Sequence, residues 1–248
     1  MTIAFLFIFG LIIGSALNAV IFRLASKKSF FRGRSECLSC QRQLKWYDLI
    51  PVLSFFILKK KCRYCGARIS WQYPVVEMVC GLIAVSLGWY FGVSLVAGAY
   101  FVLSCFLLII FVYDLKYQLI LDKITIPAMV LAILANFIIQ KSWLELGLGF
   151  IIGTGFFMFQ YLISRGKWLG GGDIRLGGLM GLILGWKILL VALFIAYLVG
   201  ALVALVLVVV KHKNMQSKLA FGTFLSAVTF FCIFYGQKIV DFYLLLII

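Results

Sequence analysis

From Ile188 to Val210 the chain runs 23 residues without a charged side chain. A helix of that length rises roughly 35 Å, more than the ~30 Å hydrocarbon core of a bilayer. Lipid offers the backbone no hydrogen-bond partner, so such a run must be helical and must be satisfied within itself. Apolar runs with at most one charged residue recur at Thr2 to Leu24, Val75 to Tyr90, Leu95 to Tyr113, Ile124 to Ile139, Leu146 to Ile163 and Leu219 to Tyr235. A shorter, glycine-rich stretch, Ile174 to Leu184, makes an eighth. Hydrophobic residues form 65% of the 248, where a soluble domain is closer to half apolar. The expected fold class is an all-α polytopic membrane protein of about eight transmembrane helices. Thr2 to Leu24 has no basic region before it and no small-residue cleavage site after it, so it reads as a span and not as a removed signal. No internal repeat is visible.

Charge orients the spans. The net charge is +15, and most of it lies in a few connections, which makes it a topology signal and not a nucleic-acid footprint. The one long polar block, Ala25 to Tyr73, holds eleven Lys or Arg, including Lys27, Lys28, Arg32, Arg34 and Lys59-Lys60-Lys61, against two acids, Glu36 and Asp48. Placing it in the cytoplasm, with both termini outside, puts Arg23, these eleven, Lys116, Lys123, Arg165, Lys167, Arg175, Lys211, Lys213 and Lys218 inside. That is 20 of the 23 basic residues, leaving Lys141, Lys187 and Lys238 outside.

The same block carries Cys37-x-x-Cys40 and Cys62-x-x-Cys65. Two such knuckles can close a tetrahedral thiolate site, and a reducing cytoplasm disfavours disulfides, so the expectation is a structural Zn²⁺ on Cys37, Cys40, Cys62 and Cys65. A loop of this size has little apolar core and gains from such a staple. The alternative is four free thiols or a redox pair. Cys80, Cys105 and Cys232 lie in apolar spans and read as small buried hydrophobes.

Two carboxylates stand out. Asp114 ends an apolar run, and Asp173 follows Gly170-Gly171-Gly172. Between them the chain crosses out and back, so both belong near the cytoplasmic face. Two carboxylates sharing a site cannot both ionise easily: one keeps a proton while the other acts as a base. The base can take a proton from an attacking water and the acid can donate to a scissile amide. The glycines would let an extended backbone lie close to the acid. The competing reading makes both acids interfacial charges paired with Lys116 or Arg175. Asp122, beside Lys123, is a third acid near the same face. Asn18, in Gly14-Ser15-Ala16-Leu17-Asn18, is either a ligand contact or one interhelical hydrogen bond. Glu77 is a candidate substrate contact or an acid favoured by its helix N-terminus.

The ordered set resembles the type IV prepilin peptidases, most closely the competence-type enzymes of Gram-positive bacteria. It comprises the Gly14–Asn18 segment with Arg23, the paired knuckles, Trp46-Tyr47-Asp48-Leu49-Ile50-Pro51, Cys65-Gly66, Ile69-Ser70, Tyr73-Pro74-Val75-Val76-Glu77, Asp114-Leu115 and Gly170-Gly171-Gly172-Asp173. The resemblance implies an aspartic endopeptidase with Asp114 and Asp173 catalytic, cleaving the leader of prepilin-like membrane substrates after a glycine. It also implies methylation of the new N-terminal residue, with S-adenosylmethionine as donor, and Glu77 is then a candidate for methyl-transfer contacts as well as substrate contacts. The implied division is a first helix (1–24), a four-cysteine region associated with methyl transfer (25–73) and a peptidase domain (74–248). The chain departs from the family where Leu121-Asp122 replaces a proline-containing pair, and where Leu219-Ala220-Phe221-Gly222-Thr223-Phe224 lacks two prolines. Two other classes compete. A presenilin or signal-peptide-peptidase type protease would carry a Pro-Ala-Leu turn, absent here. A proton-coupled transporter would show two similar halves.

Overall fold

The computed structural model describes residues 2–26, 35–210 and 220–247. Lys27, Lys28, Arg32, Arg34, Lys211, Lys213 and Lys218 of the charge pattern lie outside them. The described residues form nine α-helices and no β-strand: α1 (Thr2–Ala25), α2 (Leu53–Ile57), α3 (Gln72–Phe91), α4 (Leu95–Tyr117), α5 (Asp122–Ile139), α6 (Trp143–Ser164), α7 (Gly171–Leu184), α8 (Trp186–Val209) and α9 (Phe221–Ile247). Seven of them, all but α2 and α7, are long and apolar enough to cross a membrane. The eighth expected span is α7, with only 14 residues. The last helix outruns the expected Tyr235 because Gln237 donates to Asp241 one turn on, at 2.8 Å, and carries the helix through a polar stretch.

The chain divides into two compact units, residues 1–101 and 102–248. In the first, α1 packs on α3 through small residues. A Cβ at Gly10 would stand 2.7 Å from the Cys80 carbonyl oxygen, and one at Gly14 2.7 Å from Glu77 Cα. Only glycine lets these backbones approach so closely. Asn18 Nδ2 donates to the Tyr73 carbonyl at 3.0 Å, so it links α1 to the start of α3, while its buried Oδ1 finds no partner among the described residues.

The two cysteine knuckles of this unit repeat one backbone pattern. The Cys37 N–H donates to Arg42 O at 2.9 Å and the Gln41 N–H to Cys37 O at 2.9 Å; the Cys62 N–H donates to Ala67 O at 2.8 Å and the Gly66 N–H to Cys62 O at 3.0 Å. Gln41 and Gly66 hold the same place in each, at φ 57° and 69°.

In the second unit, α6 and α7 meet backbone to backbone. Gly149 and Gly153 on α6 face Gly181 and Gly177 on α7: a Cβ at Gly153 or Gly181 would come within 2.2 or 2.1 Å of the opposing carbonyl oxygen. Two Gly-x-x-x-Gly stripes therefore interlock, a contact that membrane helices use where apolar burial gives no drive. At the far end of α7, Lys141 Nζ donates to the Ile183 and Leu184 carbonyls, both at 3.0 Å. These carbonyls lie at the end of the helix, where intrahelical partners run out. Burial pushes the Lys141 amine down to about 8, with the Glu145 carboxylate opposing the shift. Glu145 also pairs with Lys187 at 3.3 Å.

Candidate active site

Asp114 lies in the last turn of α4 and Asp173 in the first turn of α7. Both are buried, at 4% and 8% exposure, and lie within electrostatic reach of each other. The two crossings between them do return the chain to one place.

Each carboxylate is held by backbone. Asp114 Oδ2 accepts the Thr223 N–H at 2.9 Å from the first turn of α9. Asp173 Oδ2 accepts the Gly170 N–H at 3.0 Å, while the Asp173 N–H returns a bond to Gly170 O at 3.1 Å. Both helix N-termini thus present N–H groups and a favourable dipole to a carboxylate. Ile120 fills the space between them. A Cβ at Gly172 would stand 2.7 Å from Ile120 Cβ; one at Gly222 would stand 2.8 Å from Ile120 Cδ1 and 2.9 Å from Asp114 Oδ2. Tyr197, which donates to Gln160 at 2.8 Å, is also within electrostatic reach of Asp173.

Thr223, Gly222, Ile120 and Tyr197 have no clear mark in the sequence. Gly222 was visible only as part of a motif that departs from the family pattern. Its need for a missing side chain appears once Asp114 is set against it. Arg175 pairs with Asp122, both about half exposed, and not with Asp173, so the plain interfacial ion pair belongs to the third acid.

The three glycines at the start of α7 are not equivalent. Gly172 has no spare room beside Ile120. A Cβ at Gly170 would meet Asp173 Oδ2 at 3.7 Å, and one at Gly171 would meet nothing within 4 Å. The open backbone is at Gly171.

Glu77 and Asn18 belong to the first unit, and the two aspartates to the second. Glu77 is 6% exposed, and its Oε2 accepts the Val52 N–H at 2.8 Å. It lines a cavity of about 690 Å³ together with Ser15, Arg23, Pro51, Phe55 and Tyr73.

The four thiols of Cys37, Cys40, Cys62 and Cys65 all lie within 4.8 Å of one another, with Cys37 and Cys65 at 3.8 Å. Zn–S bonds of ~2.3 Å in a tetrahedron set sulfurs ~3.8 Å apart, so the cluster suits a metal ion with no fourth position left open. Asp48 braces it from the Trp46–Leu49 turn, accepting Arg63 Nε at 2.8 Å and the Tyr64 hydroxyl at 3.0 Å. Burial pushes the Asp48 carboxyl up, but the bonds from Arg63, Tyr64 and the Lys45 amide outweigh it and hold it below the usual value. Burial and the bond to Asp48 push the Tyr64 hydroxyl up to about 12.

Residues 8–91 match the family model for the bacterial peptidase A24 N-terminal domain, and residues 101–205 that for the type IV leader peptidase family. A prepilin leader peptidase/N-methyltransferase of Bacillus subtilis (strain 168) is 35% identical over 98% of this chain and 98% of its own length. Those of Xanthomonas campestris and Stutzerimonas stutzeri are 30% and 28% identical over 95% and 96% of this chain, and 92% of each relative. No solved structure matches.

Proposed function

The chain belongs to the type IV leader peptidase family, and on that premise we propose that Asp114 and Asp173 are the pair with which it cuts prepilin leaders. It is a multi-pass membrane enzyme that cleaves the leader of prepilin-like proteins and then methylates the new N-terminus. The observation that carries the assignment of the acids is that both are buried, each accepts a backbone N–H at a helix start, and Ile120 lies against both of those helix starts. One carboxylate removes a proton from water as the water attacks the scissile carbonyl. The other, protonated, donates to the carbonyl oxygen and then to the leaving amine. The pair titrates as a unit, and the two roles are shared between its members.

The basic loop 25–73 faces the cytoplasm, as its charge supports, so a basic prepilin leader stays inside while its apolar helix lies in the bilayer. We assign methyl transfer to the region around 25–73, with Glu77 and Asn18 at the substrate, and peptide cleavage to 74–248. S-adenosylmethionine supplies the methyl group as an electrophilic sulfonium. The test is purified protein with a synthetic prepilin and S-adenosylmethionine, read by intact mass. A leader lost and one methyl gained is the expected result; an unprocessed prepilin overturns the reading.

Gly170, Gly171 and Gly172 line the substrate path in this proposal, and open space at Gly171 makes it the discriminating position. Gly171→Leu is expected to cut cleavage by about tenfold or more through a blocked approach, since misplacing a substrate by an ångström costs up to about a hundredfold. The melting temperature of the protein stays unchanged. Gly172→Leu fails by a different route, pushing Ile120 aside and lowering stability as well. Equal turnover by Gly171→Leu and wild type would remove the glycines from the substrate path.

We assign Zn²⁺ to the four cysteines. Elemental analysis of protein purified without added metal should give about one zinc per chain. Four alkylatable thiols in the metal-free native protein would refute it. Cys62→Ser with Cys65→Ser should lower yield and thermal stability, because a closed site contributes folding energy.

A further inference from the structure

We infer that the cavity of the first unit is the methyl-transfer site, with Glu77 as the carboxylate that binds and deprotonates the new N-terminal amine. This rests on the reading of the chain as an N-methyltransferase and deepens it.

The cavity measures about 690 Å³, within the range of small-molecule sites. Every residue lining it comes from the first unit. That volume accommodates a nucleoside-bearing sulfonium donor together with one apolar side chain. Phe55 and Tyr73 offer aromatic surface and Ser15 a hydroxyl, while Glu77 is a buried acid on the wall. A carboxylate inside a membrane helix is costly and marks function.

What holds Glu77 is unusual. Pro51, Val52 and Leu53 form a three-residue turn closed by the Leu53 N–H on Pro51 O. Its central residue, Val52, has φ 61° and ψ −51°. A β-branched residue in that region is a strained outlier, and strain of this kind collects at functional sites. The strain has a visible product: the Val52 N–H points at Glu77 Oε2, at 2.8 Å. Ser15 stands near it on the same cavity wall. A carboxylate has about four acceptor sites, so beyond the Val52 bond Glu77 keeps capacity for a donor in the cavity.

An ammonium is such a donor. The α-amine left by cleavage is largely protonated at neutral pH, its ordinary pKa being about 7.7–8.0, and the ammonium cannot attack a methyl group. Glu77 pairs with the ammonium and accepts one of its protons. The freed lone pair forms the N–C bond to the sulfonium methyl, the C–S bond breaks with its electrons on sulfur, and a neutral thioether leaves. The proton on Glu77 passes to water.

The test uses the full-length protein in detergent, S-adenosylmethionine and a synthetic mature pilin peptide with a free N-terminal phenylalanine, so that no cleavage step is needed. Calorimetry with S-adenosylhomocysteine measures donor-site occupancy separately. Glu77→Gln should slow methylation about a hundredfold or more while still binding S-adenosylhomocysteine. Its residual rate should climb as pH rises through the amine's own pKa, a rescue that damaged packing would not give. Ala16→Trp, at an exposed position on the cavity wall, should abolish S-adenosylhomocysteine binding. Wild-type methylation rates in Glu77→Gln overturn the role of Glu77. Undiminished binding in Ala16→Trp overturns the location. A wild-type protein that cleaves prepilin yet neither methylates the peptide nor binds S-adenosylhomocysteine overturns the reading beneath both.

Discussion

Asp114→Asn and Asp173→Asn should each stop leader cleavage, a loss of about a thousandfold or more, while the protein still inserts and melts as the wild type does. Asparagine matches aspartate in size, and its carbonyl oxygen can still accept the Thr223 or Gly170 N–H that holds the native carboxylate. What it cannot do is exchange a proton. With the two acids proposed to act as one unit, losing either should remove most of what losing both would remove. Asp122→Asn supplies the contrast. Its carboxylate is half exposed and engaged with Arg175, and such surface pairs contribute little, so most activity should remain. Intact mass of a synthetic prepilin after timed incubation reads all three. Full turnover in either dyad variant would dismiss the pair, and a dead Asp122→Asn would move the first acid eight residues along the chain.

The second large effect is expected far from the acids. Gly181→Leu places a side chain where the Gly149 carbonyl oxygen already stands 2.1 Å from the new Cβ. Neither backbone can yield locally, so α6 and α7 must separate. Asp173 rides on α7, two turns away, and a displacement of an ångström at a reacting group costs on the order of a hundredfold in rate. Cleavage should fall by that order and thermal stability in detergent should fall with it. Gly155→Leu on α6 is the matched control, because a Cβ there meets nothing within 4 Å; it should change neither. If both substitutions behave alike, the interlocked stripes do not position the acid.

These two expectations differ in how far the sequence alone could reach them. The aspartates were legible because a charge between long apolar runs is conspicuous, and counting crossings brings them to one end. The helices were legible for the same reason, and the four cysteines by their spacing. The glycine stripes were only half legible. Gly177 and Gly181 read as a glycine-rich stretch, but which helix needs them bare is a property of the partner, and α6 announces itself with four glycines of which only two face α7. The grip of α9 on Asp114 was out of reach, because a backbone N–H has no letter in a sequence. The competing reading of Asp173 as an ion-pair partner of Arg175 fails for a related cause: Arg175 is two residues from Asp173 yet pairs with Asp122, since neighbours two apart on a helix do not face each other.

Lys141 has a consequence beyond its own helix end. With 14 residues, α7 rises about 21 Å, well short of a hydrocarbon layer of ~30 Å. An ordinary short helix answers such a mismatch through the lipid, which thins around it, or by tilting. Here the terminal carbonyls are met by an ammonium lowered from the α5–α6 connection, and most of the helix is enclosed by protein. With Asp173 as the proposed catalytic acid, its position along α7 is tied to the protein around that helix and to the lysine at its far end, so the cutting plane is expected to stay fixed when the acyl chains around the enzyme lengthen or shorten.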